Sequence, residues 1–190
     1  MNTIAPRQQV LLGLLLAALM AATRGQHFAV LSLPDASPAV FFLAGLWLRP
    51  TWAFPVLFLV SALIDAVAVG WAGVGSACIT PAYALLIPAY GALWAAGRWY
   101  AAHHRDAWST LAPLVGAAAV GGLVFELFAT GGYYLFSGAF AAPTVEGVVM
   151  GVLKYLPATL AHLALYLGLA ALAYLALTLA QVRRAGTAVR

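Results

Sequence analysis

Cys78 is the only cysteine in the chain, and it lies in residues 65–83, a stretch that also carries Asp65 and Tyr83. Gly70, Gly73 and Gly75 form a flexible hinge between the acid and the thiol. Thr80-Pro81 reads as a helix N-cap followed by the first helical position, because proline's missing N–H costs nothing there. Cys78 is therefore expected just ahead of a helix N-terminus, where free N–H groups and the positive dipole end favour thiolate over thiol. A thiolate is both a nucleophile and a soft metal ligand. Paired with His27 it could act as a nucleophile with its base. The sequence signals no acyl or phosphoryl substrate, and it has no HExxH, GxSxG or Walker loop. A structural metal site takes about four protein ligands. A thiolate, an imidazole and a carboxylate supply fewer, so a metal that arrives with most of its ligands in place fits better. Taken alone, a histidine in a membrane-edge loop is more often solvated or hydrogen-bonded than a ligand.

The elements that must position these groups follow from composition. The chain has 190 residues, of which 65% are hydrophobic and 7% charged, with a mean hydropathy of +0.98. A soluble domain carries roughly 25% charged residues. No polar surface could be built from so few, so lipid is the expected solvent and helices the expected elements. The net charge of +4 does not indicate nucleic acid, because the basic residues are scattered between apolar runs. One cysteine cannot form an intramolecular disulfide, which leaves the redox compartment open.

A single six-helix transmembrane domain over residues 1–190 is predicted, with spans near 8–22, 38–49, 51–70, 80–97, 110–130 and 155–180. Arg7 and the apolar run after it resemble a signal peptide, but the topology needs the segment as a span. Gly13, Ala17 and Ala21 give that span a small-residue face for close helix packing. Pro34, Asp35, Ser37 and Pro38 mark a turn and a helix start. Pro88 is expected to kink the fourth span, and Gly121-Gly122 to interrupt the fifth. Residues 131–138 read as an interfacial aromatic stretch. His103-His104 is a weak metal pair, since adjacent residues point to different sides of a helix. His162 reads as a satisfied interhelical histidine.

Charge tests the count. With both termini cytoplasmic, the inside holds Arg7, Arg49, Arg98, Arg105, Arg183, Arg184 and Arg190, and the outside only Arg24 and Lys154. Five spans would put the basic loop and tail outside. With six, His27, Asp65, Cys78, Tyr83, Glu126, Tyr133 and Lys154 all fall toward the outer face. Chemistry gathered at one mouth suits capture of an external solute, whereas a proton-driven carrier more often has ionisable groups near the midplane.

The stretch T-R-G-Q-H-F…L-P-D-A-S-P-A-V-F-F-L-A-G over residues 23–45, and Asp65 with C-I-T-P-A-Y over 78–83, resemble the BtuM-like cobalamin transporters. Those are solitary proteins of Gram-negative bacteria, similar to the substrate-binding S-components of energy-coupling-factor (ECF) vitamin transporters. The resemblance covers essentially the whole chain. It implies an inner-membrane protein with an S-component-like bundle, in which Cys78 is the upper axial ligand to corrinoid cobalt and His27, Asp65 and Tyr83 line the pocket. It also implies displacement of cyanide when the thiolate binds, and no strict need for an ECF energising module. Cobalamin is then substrate, with no intrinsic cofactor expected.

Chemistry agrees on several points. A corrin brings four equatorial nitrogens, so one sulfur suffices. Its edge carries amides that Asp65, Tyr83 and Tyr133 can bond, with Lys154 as a rim contact. Two further classes stay open: an integral-membrane thiol enzyme or redox protein using Cys78, and an S-component for another vitamin.

Overall fold

The computed structural model describes residues 5–24, 33–71, 80–105 and 107–187, with Trp71 and residues 181–187 described by backbone alone. Within them the protein is all-helical, with six α-helices. These are α1 (Pro6–Arg24), α2 (Ser37–Trp47), α3 (Ala53–Trp71), α4 (Leu86–His103), α5 (Leu111–Phe136) and α6 (Val145–Thr187). Short 3₁₀ turns at Pro81–Leu85 and Trp108–Thr110 lead into α4 and α5. Four helices, α1, α3, α5 and α6, are long and apolar enough to cross a membrane.

Contacts at the helix ends set the directions. The Arg49 backbone N–H donates to Gln9 Oε1 at 3.2 Å, and Arg24 Nη1 donates to Ser37 Oγ at 3.1 Å, so α1 and α2 are antiparallel. Arg24 pairs with Asp65 near the C-terminal ends of α1 and α3, which run parallel. Tyr100 Oη and Thr110 Oγ1, 3.1 Å apart, join the end of α4 to the start of α5. Gly122 faces Leu160 and Leu163 while Gly131 faces Val148, so α5 and α6 are antiparallel. Odd-numbered helices therefore run one way and even-numbered helices the other.

The core is built around the shortest helix. Every residue from Ser37 to Gly45 is buried, and α1, α3, α4 and α6 all pack on α2. Eleven residues rise only about 16 Å, half of a ~30 Å hydrocarbon layer. The length is tolerable because protein, not lipid, surrounds α2. Against α4 the two backbones touch. A Cβ at Gly45 would strike the Trp94 carbonyl, and one at Gly97 would strike the Phe42 carbonyl. Phe41 stacks on Tyr90 with centroids 4.3 Å apart, and Phe125 of α5 closes on the same ring at 5.2 Å.

Several boundaries differ from the sequence expectation, for one shared reason. Gly121-Gly122 does not interrupt α5; Leu93 and Ala96 press on Gly121 from one side, and Leu160 and Leu163 on Gly122 from the other. Residues 131–136 are not a separate interfacial stretch but the last turns of α5, with Gly132 admitting Leu85. The sixth helix starts at Val145 rather than near 155, because Gly147 and Gly151 make room for Tyr134 and Thr130. These glycines are packing positions, not breakers. Pro88 lies in the first turn of α4, where its missing N–H disturbs nothing, rather than in the middle of a span.

Candidate functional site

The sequence singles out Asp65, and the structure surrounds it with donors. Arg24, the last residue of α1, grips the carboxylate with both arms of its fork: Nε to Oδ1 at 2.6 Å and Nη2 to Oδ2 at 2.7 Å. Tyr83, in the 3₁₀ turn before α4, donates its hydroxyl to Oδ2 at 2.8 Å. Arg24 Nη1 also donates to Tyr90 Oη at 2.6 Å and to Ser37 Oγ at 3.1 Å. Ser37 Oγ in turn donates to Asp35 Oδ1 at 2.6 Å, and the same oxygen accepts the Ser37 N–H. One guanidinium thus ties together α1, α2, α3 and α4. The Arg24 side chain is 11% exposed and that of Asp65 26%, so the pair is largely desolvated and the acid is its more accessible member. A bidentate arginine–carboxylate pair fixes both planes, which a lysine could not do.

The chain before α2 is pinned at the same end. Thr23 Oγ1 donates to the Leu19 carbonyl at 2.9 Å and accepts the Ala36 N–H at 3.1 Å. The Tyr166 hydroxyl of α6 donates to the Pro34 carbonyl. Both segments adjoining this end, residues 25–32 and 72–79, lie outside the described residues, and with them His27 and Cys78.

Thr80 caps the 3₁₀ turn with Pro81 at its first position, but its side chain makes no capping bond. Its Oγ1 is buried without a hydrogen-bond partner among the described residues. The expected start of a helix at Thr80-Pro81 is corrected to a five-residue 3₁₀ turn, with the α-helix proper beginning at Leu86. The dipole argument for Cys78 is weakened accordingly, since such a dipole effect fades within one turn.

No protein-family model matches the chain, and no curated protein matches it. Function therefore has to be argued from the residues.

Of the other predicted site residues, Tyr133 is exposed and meets Phe140 edge-on, with centroids 6.3 Å apart. Lys154 is exposed, with its ammonium 5.0 Å from the Tyr155 ring centroid. Among the described residues, neither bonds to the Asp65 cluster. Nor do the described residues contain a group of three or more His, Cys, Asp or Glu side chains arranged to hold a metal ion.

Two features went unread in the sequence. Arg24 counted only as a loop charge, although an acid inside a span calls for a partner and few cations are available at that end. Glu126 is 4% exposed and lies between α5 and α6, where Thr130 Oγ1 and Thr159 Oγ1 both donate to it. His162 departs from expectation: it is half-buried, and among the described residues no hydrogen bond satisfies it. His103, the last residue of α4, and His104, the extended residue after it, face different partners, Trp99 for the first and Tyr100 with Thr110 for the second.

Proposed function

We propose that the protein is an inner-membrane corrinoid uptake protein of the BtuM-like kind, crossing the bilayer six times with both termini in the cytoplasm. The vitamin binds at the outer end, and the Cys78 thiolate takes the upper axial position on cobalt. The hydrogen bond from Tyr83 to Asp65 at 2.8 Å is the observation that carries this reading. These residues lie on either side of the Cys78 segment, so the bond draws both its flanks to one end of the bundle. Arg24 locks Asp65 there from a third direction.

The donor set suits a corrinoid better than a bare ion. Corrin nitrogens fill four cobalt positions, and a single sulfur fills a fifth. The Thr80 hydroxyl is two residues from Cys78 and has no partner among the described residues, so a ring amide would satisfy it. His27 and Tyr133 are further pocket-lining candidates, with Lys154 at the rim. When the corrinoid carries cyanide, thiolate coordination is a ligand exchange: the Co–S bond forms, the Co–C bond breaks, and cyanide leaves with the electron pair. The cobalt oxidation state does not change.

Absorption spectroscopy tests the proposal. Full-length protein purified with hydroxocobalamin is expected to carry a corrinoid band displaced from that of the free vitamin. Cys78→Ser and Cys78→Ala should return the band to the free position. A mutant spectrum identical to that of the wild-type complex would remove Cys78 from the cobalt.

A further inference from the structure

A groove of about 400 Å³ runs between the N-terminal halves of α1 and α3, at the end of the bundle away from Asp65. Its size falls within the ~300–1,000 Å³ of small-molecule pockets. Gln9, Gly13 and Ala17 line it from α1, Leu48 from the end of α2, and Trp52 and Val56 from the start of α3. Apart from Gln9 these residues offer no polar side-chain group except the indole N–H. Gly13 sets the width: a Cβ there would only just reach Leu48, at 3.8 Å, so the missing side chain leaves the trough open.

Two arginines are chain neighbours of residues that line the groove. Arg49 is exposed and sits between Leu48 and Pro50, which both line the groove. Its backbone N–H is held by Gln9 Oε1 at 3.2 Å. Arg7 is exposed on the same edge of α1 as Val10 and Leu14, three and seven residues further on. Among the described residues neither arginine has an acidic partner. Arg98, at the same end, is committed elsewhere: it donates to the Arg49 carbonyl at 3.0 Å and lies over the Trp94 ring at 4.7 Å. Trp52 is exposed at the mouth, as expected of a side chain at headgroup depth.

An apolar trough capped by two unpaired cations and an interfacial tryptophan has a definite complement. We propose that it holds one acyl chain of an anionic phospholipid from the inner leaflet, with the headgroup phosphate bound by Arg7 and Arg49. Arginine forks match phosphate oxygens, and basic sites between helices on the cytoplasmic side select acidic headgroups. A second copy of the chain is a poorer complement. Of the described acids, Asp35, Asp65 and Glu126 are engaged within the bundle, and Glu146 lies at the opposite end. The proposal rests on membrane insertion and, for the choice of leaflet, on the orientation proposed above; it is independent of the corrinoid.

Native mass spectrometry of the full-length protein, titrated with phosphatidylglycerol or phosphatidylcholine of identical chains, tests it. Each arginine near a charged headgroup is worth on the order of fivefold in affinity, so wild type should retain phosphatidylglycerol at least about tenfold better. Arg7→Gln with Arg49→Gln should erase that preference, bringing phosphatidylglycerol retention down to that of phosphatidylcholine. Arg7→Lys with Arg49→Lys should keep most of it. Gly13→Leu should lower retention of both lipids. Equal retention by wild type, or a preference that survives the double glutamine variant, overturns the proposal. So does a lipid-free dimer that Gly13→Leu abolishes, since a second copy would then occupy the groove. Resistance of the wild type to carbonate extraction is measured alongside: release from the membrane would overturn insertion itself and this site with it.

Discussion

Arg24 converts Asp65 from a costly acid into an anchor. A lone carboxylate within a span costs roughly 2.5–3.5 kcal/mol on insertion scales, and a bidentate guanidinium with a phenol donor offsets that. The pair is less exposed than a surface ion pair, so removing one partner should be far worse than removing both. Asp65→Asn is expected to destabilise the protein by about 3–5 kcal/mol, since the Arg24 charge stays buried with only neutral partners. Arg24→Met combined with Asp65→Leu should cost less than Asp65→Asn alone. Thermal unfolding in detergent of the single and double variants measures this, and strictly additive losses would argue against a coupled pair. Asp65 was legible in the sequence because an acid in an apolar run stands out. Its partner was not, because Arg24 lies 41 residues away and looks like any loop cation. Tyr90 was equally silent, being one aromatic among many in an apolar helix. Types and counts of residues survive in a sequence; pairings made by tertiary packing do not.

At the scale of elements, hydropathy found every helix but misjudged the glycines. Within lipid there is no hydrophobic drive between helices, so association leans on close backbone contact, and glycine is what permits it. From the sequence, Gly121-Gly122 is expected to interrupt a span, and Gly131 and Gly147 fall outside the predicted spans, as helix-breaking glycines would in water. The structure uses them as seats for Leu93, Leu163, Val148 and Tyr134. The tightest seat is the reciprocal contact of Gly45 and Gly97, where backbone faces backbone and no side chain can yield. Gly97→Ala should therefore push α2 from α4 and lower the unfolding temperature well beyond the effect of a methyl elsewhere, a loss of about 1–3 kcal/mol for overpacking. Gly168→Ala is the matched control: nothing lies within 4 Å of its Cβ position, and a helical alanine should be neutral or slightly stabilising. A Gly97→Ala protein as stable as the control would mean that the two helices do not meet as closely as described. Because α2 carries Ser37 and α4 carries Tyr90, both partners of Arg24, the same substitution should also disturb the Asp65 cluster.

For the whole molecule, helix direction decides what hydropathy leaves open. Only four helices have the length and apolarity expected of membrane spans. Yet α1 and α3 run parallel, joined by Arg24–Asp65 at one end and sharing the wall of a groove at the other. In a bilayer the chain must return between them, and α2 is the segment that returns it, despite rising only about 16 Å. Likewise α4 must bring the chain back between α3 and α5. On the proposed topology these directions make six crossings, and they gather Arg7, Arg49, Arg98 and Arg105 on one side with Arg24 and Lys154 on the other, the asymmetry that orients membrane proteins. The expected outcome is concrete. A membrane-impermeant thiol reagent applied to intact spheroplasts should modify Cys78, and bound hydroxocobalamin should protect it. A fluorescent protein fused after Arg190 should fold and fluoresce, as cytoplasmic fusions do. Labelling of Cys78 only after the membrane is breached would turn the bundle over and put the Asp65 end in the cytosol. That result would be incompatible with capture of an external vitamin, whatever the spectrum of the complex.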